Sequence, residues 1–590
     1  MSHRAIRCGA VLGVLATLVA GSATHVAAAS KPTPDVQYVY NTIDYMSSNF
    51  LQRYSGFDGP PGDLNAQDGN LPPTVNGWQE FYQYWRAQMQ SPTVMGSFAP
   101  FVHFDDHLFQ TTGAPFMSDA ATVTIPGSVC PGQVSLVAGH PDSTPALNTG
   151  NGSTYDDTSG VVMGIGELSA LTRWWAATGT WPTRTIKVGL FDAEETGLNG
   201  SQYYAANLIP PGPQGGYILV ANMDQNGIEY PAYPAGTTQT TFGPHPWYTN
   251  INASPLTDFS IYGAQGKAAI QANLPAVQHF RTALDQEVRT AFAELGAKYN
   301  FSLPLENPLE NGNVVPAYQP GDVTTYSPVQ DDTLGRTDQV PFIAQGIPGF
   351  GVVGAYDSNP QDNPTATAPG PLTPLGASGL PQIAGYDTPR DNIIHFNVMT
   401  SGTDGGGTGG AGSIAVKRGL ELPMTWTLGL LSRPEYVGQS TAPTGPIAYF
   451  ESSPTAPKPG DSVAFNAGAA ADIAHHGLTY TWDFGDGTAG TGVAAKHAYA
   501  QAGWYDAKLV VTDANGNRTG YRQAVKVGSP SGAAPATDAC GVLSAQEVAA
   551  IAGPAVSVPE VPVPSALVLG AVAMAGFVAR RRRARQHRAR

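Results

Sequence analysis

Four short stretches each set an acidic or imidazole metal ligand at the close of an apolar run: Val137-Ala138-Gly139-His140-Pro141-Asp142, Tyr155-Asp156-Asp157-Thr158-Ser159-Gly160, Leu190-Phe191-Asp192-Ala193-Glu194-Glu195 and Val220-Ala221-Asn222-Met223-Asp224. A pair of divalent ions needs several His, Asp and Glu side chains delivered to one spot. Open α/β sheets make such spots at the carboxyl ends of their strands. Val134–Val137, Ile186–Phe191 and Ile218–Ala221 read as short buried strands, and each ends on candidate ligands. A lone His-x-Asp or Glu-Glu is weak evidence, but four such elements in order are strong. The expectation is an α/β unit with a mostly parallel central sheet flanked by helices, holding two divalent metal ions.

At 590 residues the chain exceeds one core. Charged residues are 13% of it, about half the usual ~25%, while Gly and Pro number 69 and 50, a balance that suits a loop-rich exported protein. The formal charge is −15. Leaving out Arg4, Arg7 and the seven arginines from Arg580 to Arg590 gives 21 cations against 45 anions, or −24. So acidic a body repels phosphate backbones, which excludes nucleic acid as a partner. Of three cysteines, Cys8 sits in the leader and Cys130 and Cys540 lie in different segments, so no disulfide framework is implied.

Residues 1–29 carry early arginines, the apolar stretch Ala10–Val19 and Ala27-Ala28-Ala29, the pattern of a secretory signal peptide cut after Ala29. Residues 30–125 form a mixed segment, helical near Trp78–Met89, expected to pack on a di-metal domain spanning 126–440. Val277, Phe280, Leu284, Val288, Ala291 and Leu295 recur at helical spacing. Residues 446–528 alternate strand-like runs with turns, which predicts an all-β sandwich. An Ala/Pro/Ser linker is expected over 529–560. In 561–590 the apolar run Ser565–Ala579 meets Arg580-Arg581-Arg582-Arg583, a marginal membrane segment whose arginines stay cytoplasmic. The tail resembles the tripartite sorting signals of bacterial surface proteins. An exported or cell-surface location, anchored at least transiently by the tail, follows as the expectation.

The ligand stretches, with Glu194-Glu195-Thr196-Gly197-Leu198-Asn199-Gly200-Ser201 and Thr337-Asp338-Gln339-Val340-Pro341-Phe342, resemble metallopeptidase family 28, the secreted bacterial zinc aminopeptidases and their relatives. A looser match lies upstream at Arg53-Tyr54-Ser55-Gly56. The resemblance implies His140, Asp156, Glu195 and Asp224 as metal ligands and Glu194 as the general base. Asp156 suits a bridge, because one carboxylate can offer an oxygen to each of two ions ~3.5–4 Å apart. Asp157 fits a second contact or the cap of the helix that follows. Asp142 is placed with the catalytic groups, orienting His140 or the substrate groove. Where the family has Tyr-His-Thr, this chain has Tyr386-Asp387-Thr388. Asp387 is therefore expected as the fifth ligand, with His395 as the alternative.

The sandwich motif Trp482-Asp483-Phe484-Gly485-Asp486-Gly487, with His497-Ala498-Tyr499, resembles the polycystic-kidney-disease-type (PKD) immunoglobulin-like domain. Such domains act as spacers or contact polymers and cell surfaces. Asp483 and Asp486 are read as turn formers. Carrying no candidate ligand, the sandwich is expected to be dispensable for small substrates. Together these readings imply an exported aminopeptidase acting on peptide or protein substrates, with Glu194 activating a metal-bound water. Zinc is the first choice of metal, and manganese or cobalt would also suit the oxygen-rich donor set. Carboxypeptidase or glutaminyl cyclase-like action on the same fold, or an impaired surface binding protein, are the alternatives.

Overall fold

The computed structural model describes residues 31–51, 53, 77–111, 117–143, 153–210, 216–224, 226, 249–299, 309–310, 313–314, 329–333, 335, 337–354, 391–393, 411–530, 534–535 and 538–553. The expected signal peptide, the C-terminal tail, Asp387 and His395 lie outside the described residues.

The first unit is built on a mixed nine-stranded sheet. Its strands are β1 His103–Asp105, β2 Leu108–Gln110, β3 Met117–Ile125, β4 Cys130–Gly139, β5 Arg184–Phe191, β6 Tyr217–Asn222, β7 Thr249–Ala253, β8 Val329–Asp331 and β9 Gly349–Gly354. The order is β1-β3-β5-β4-β6-β9-β7-β8, with β2 against β3. The four central strands β5, β4, β6 and β9 run parallel, while β3 pairs antiparallel with β5 and β7 with β9. The expected parallel arrangement thus describes the centre, and antiparallel strands extend it on both sides.

Alternation along β4 shows why the centre is buried on both faces. Val137 joins a core with Val161, Val162 and Ile165 of α3 (Ser159–Thr178), whereas Leu136 and Ala138 join Tyr204 and Ala205 of α4 (Asn199–Asn207). Two apolar faces require helices on both sides. On the first face α1 (Val36–Asn49), α2 (Trp78–Met89), α5 (Leu274–Tyr299) and α6 (Ala411–Ser432) share the core of α3. The helical spacing from Val277 to Leu295 falls in α5, and all six of its apolar positions are buried. The N-terminal segment is part of this core: Phe81, Tyr82 and Trp85 of α2 are fully buried.

The second unit packs two antiparallel sheets, one of three strands and one of four, around Phe450, Phe465, Trp482, Phe484 and Tyr521. An α/β unit followed by an all-β unit is thus the observed architecture. Two readings of the sequence need correction. Cys130 and Cys540 form a disulfide across 410 residues. The stretch expected as a linker carries helix α7 (Ala545–Ala552), capped by Ser544 and Glu547 in a reciprocal box. Val548 of α7 packs with Leu543 and Val510, and the Cys540 carbonyl accepts from Gly132 N at 3.0 Å. Composition suggested a spacer, but a capping box and two buried apolar side chains suffice to fold this stretch back onto both units. Among the described residues no helix is long and apolar enough to cross a membrane.

Candidate metal centre

The carboxyl ends of β4, β5 and β6 converge. His140 follows β4, Glu194 and Glu195 follow β5 after a short turn, Asp224 follows β6, and Asp156 and Asp157 precede α3. His140 Nε2 lies 3.0 Å from Asp156 Oδ1, 3.8 Å from Asp224 Oδ1 and 4.0 Å from Glu194 Oε2. Donors ~2.0–2.2 Å from a tetrahedral ion stand roughly 3.3 Å apart, so these separations suit ligands closing on a cation. Two ligand groups emerge, His140 with Asp156 and Glu195, and His140 with Asp157 and Asp224; in each, one ligand atom per residue lies within 4.8 Å of the others. Asp224 Oδ1 is buried with no hydrogen-bond partner. An orphaned carboxylate oxygen beside an imidazole is costly in a dry interior unless a cation is meant to sit there. The residues present therefore fit a metal centre.

Each ligand loop is held by backbone contacts that the ligands themselves do not make. Asp142 accepts from Glu194 N through Oδ1 and from Glu195 N through Oδ2, both at 3.1 Å. Its Oδ1 is also 3.4 Å from His140 Nδ1. Asp142 thus fixes the imidazole and both glutamates at once, the work of a positioning residue. Ala193, just before Glu194, has φ 65, a left-handed conformation that costs a non-glycine residue about 1–3 kcal/mol and persists where neighbours enforce it. The two amide bonds to Asp142 are that enforcement.

The Asp156–Asp157 peptide is cis. Asp157 accepts from Gly160 N at 2.7 Å, starting α3, and from His140 N at 3.3 Å. Gly160 is required here, since a Cβ would meet the Met223 carbonyl oxygen at 1.5 Å. Asp391, which the sequence reading missed, accepts from Tyr155 N at 2.8 Å and Asp156 N at 3.1 Å. No spacing singles it out; its proximity to Asp387 was the only signal. Asp192, left without a role in the sequence, is buried and accepts from Trp78 Nε1 at 3.0 Å, tying α2 to the glutamate turn. Asp338 is fully buried within electrostatic reach of His140, Asp224 and Asp142.

The electrostatics follow from many acids in little water. Burial holds Glu194 well above the usual carboxylate range; His140 opposes this, and Asp224, Asp338 and Asp156 add to it. Burial likewise pushes Asp224 to about 6 and Asp338 to about 7. Burial alone would lower the proton affinity of His140, but the carboxylates of Glu194, Asp142, Asp156 and Asp224 outweigh it and raise its pKa well above the ordinary value. The cluster is short of positive charge. A further group in the sandwich, Asp472, His476 and Asp513, is of another kind. Its carboxylates accept from the amides of Ala474, His476, Asn515 and Asn517, as turn-forming aspartates do. Asp483 and Asp486 also form turns, accepting from Gly485 N and Thr488 N.

Residues 121–254 match the model of peptidase family M28, and residues 444–527 match that of the PKD domain. Over these two stretches the chain is similar to peptidase family M28 and to the PKD domain. Comparison with curated proteins gives no match. Among solved structures, carbohydrate-binding modules of the β-sandwich superfamily share 36% identity over 15% of this chain and 36% of theirs, with a TM-score of 0.14. The zinc aminopeptidase BSAP of Bacillus subtilis shares 16% identity over 55% of this chain and 52% of its own, with a TM-score of 0.30. The glutaminyl cyclase of an Acidobacteriales bacterium shares 14% identity over 68% of this chain and 97% of its own, with a TM-score of 0.38. This chain thus spans about a third and about half of the first two structures it matches.

Proposed function

We propose that this M28-type protein is an exported metal-dependent aminopeptidase that removes N-terminal residues from peptides. The observation that carries the reading is the position of Glu194. Its side chain is 12% exposed beside His140 and Asp224 at 1% and 2%, so at the end of β5 the candidate base, like its neighbour Glu195, is more open to solvent than those two ligands. Divalent ions held by His140, Asp156, Glu195 and Asp224, zinc foremost, would supply Lewis acidity toward a scissile carbonyl and an attacking water. Glu194 accepts the proton of that water and returns it to the leaving amine. Asp142 keeps Glu194 and His140 in register through the exchange. Export is supported by the signal-like residues 1–29 and by the Cys130–Cys540 disulfide, a bond that persists in oxidising compartments. Surface retention by residues 561–590 belongs to the same proposal.

The test is metal content and hydrolysis of amino-acid anilides by the purified chain, with Glu194→Gln beside it. A general base typically contributes ~10²–10⁴-fold, so Glu194→Gln should keep its metal and lose turnover by that order. Wild-type-like turnover in Glu194→Gln removes this residue from the reaction. Metal binding with cyclisation of N-terminal glutamine, and no anilide hydrolysis, selects the glutaminyl cyclase reading.

A further inference from the structure

Arg53 is fully buried, at 0% exposure, and its guanidinium spans the two loops that carry His140 and Asp156. Nε donates to the Pro141 carbonyl at 2.5 Å, one residue after His140. Nη2 donates to Thr158 Oγ1 at 2.9 Å and to the Ser153 carbonyl at 3.4 Å, on either side of the Asp156–Asp157 pair. Nη1 donates to the Phe50 carbonyl at 3.1 Å, and the Arg53 carbonyl accepts from Ser143 N at 2.7 Å. The guanidinium lies 4.3 Å above the Phe81 ring of α2.

We infer that Arg53 is a positioning residue of the metal centre, setting the spacing of the His140 and Asp156 loops and lending one fixed positive charge to their carboxylates. The inference rests on the metal-centre reading above. Three features support it. A planar fork reaches acceptors on two loops from one rigid group, which lysine cannot do. Its acceptors are mostly backbone carbonyls, so it fixes the chain path without competing for the ligands' carboxylates. Asp391, Asp142, Asp157 and Asp156 are all within its electrostatic reach, and burial still leaves its pKa at about 10, so it stays charged at any pH where such a protein works. Asp391, itself within electrostatic reach of Arg53, adds to the brace by accepting from the amides of Tyr155 and Asp156. The segment before the peptidase domain thereby enters the site by way of α2 and Phe81.

The experiment measures zinc affinity of the full-length chain by competition with a chromogenic chelator, and separately the unfolding temperature of the metal-free protein. The variants are Arg53→Met and Arg53→Lys. Residues that orient ligands typically cost 10–100-fold in metal affinity when replaced, and about that loss is expected in Arg53→Met. Arg53→Lys keeps the charge but not the fork, so it should fold and still lose part of the affinity. Zinc binding within about threefold of wild type in the folded variants, whatever their unfolding temperature, overturns the inference, since orienting residues cost more than that. Wild-type protein that binds no zinc overturns the metal-centre reading and takes this inference with it.

Discussion

Lys187 and Glu451 form a 2.5 Å ion pair between the nine-stranded sheet and the sandwich. Lys187 lies on β5 with no exposed surface, and its ammonium also donates to Thr124 Oγ1 at 2.9 Å. A buried ammonium needs a carboxylate, and this one comes from a segment more than 250 residues away in the other unit. Around it, Asn466 Nδ2 donates to Asp105 Oδ1 at 2.7 Å, the Phe101 and His475 rings stack at 4.9 Å, and Cys130 bonds Cys540. These contacts join the units by charge, packing and a covalent bond, which is more than a free spacer would need.

Removing one partner of a buried pair strands the other, at a cost of 3–5 kcal/mol where both are sealed from water. Glu451 is 24% exposed, so Glu451→Gln should cost about 3 kcal/mol, the low end of that range, and lower the unfolding temperature by several degrees. Adding Lys187→Met in the same chain should recover part of the loss. The sequence alone made the sandwich look dispensable; with this interface, a chain ending near Arg433 is expected not to accumulate as folded peptidase. Unfolding curves of the three variants decide the point, and an unchanged midpoint in Glu451→Gln sinks it.

That His140, Asp156, Glu194, Glu195 and Asp224 come together was legible because strand ends are local signals: an apolar run followed by His140, Glu194 or Asp224 is visible without any partner. The sandwich was legible for the same reason, through alternation and Asp-Gly turns. What could not be read was long-range. Nothing near Lys187 in sequence shows that it is buried or that Glu451 neutralises it. Cys130 and Cys540, at 410 residues of separation, carry no spacing rule. Asp391 and Asp192 act by accepting backbone amide or indole protons, a role that any aspartate can take and that only the folded backbone assigns.

The metal-free protein should lose stability as pH rises through neutrality. Burial, with nearby carboxylates adding to it, pushes Asp338 and Asp391 to about 7, against 3.8 in the unfolded chain. The folded state thus holds more protons than the unfolded state between these values. The stability they contribute is present below about pH 4 and lost as pH climbs through about 7. Thermal unfolding of the chelated protein is therefore expected to show a lower midpoint at pH 8 than at pH 5.5, with zinc at pH 8 raising it again by preferential binding to the folded state. A midpoint that rises with pH in the chelated protein contradicts the charge-crowded picture of the site.

Asp387 is expected to complete the shell of the ion shared by Asp156 and Glu195. It stands where the family resemblance expects histidine, and four residues later Asp391 grips the amides of Tyr155 and Asp156. A carboxylate coordinates zinc at ~2.0–2.2 Å, about as near as an imidazole, so the substitution preserves a ligand. It also adds a negative charge and moves the donor set toward oxygen, which favours harder ions such as manganese beside zinc. The competing candidate, His395, is flanked by Ile394 and Phe396, the setting of a packed histidine. Metal stoichiometry in Asp387→Ala and His395→Ala separates them. One ion lost in Asp387→Ala alone assigns the ligand to Asp387, and one lost in His395→Ala alone transfers it to His395. Two ions retained in both variants would mean that the second shell closes without either residue.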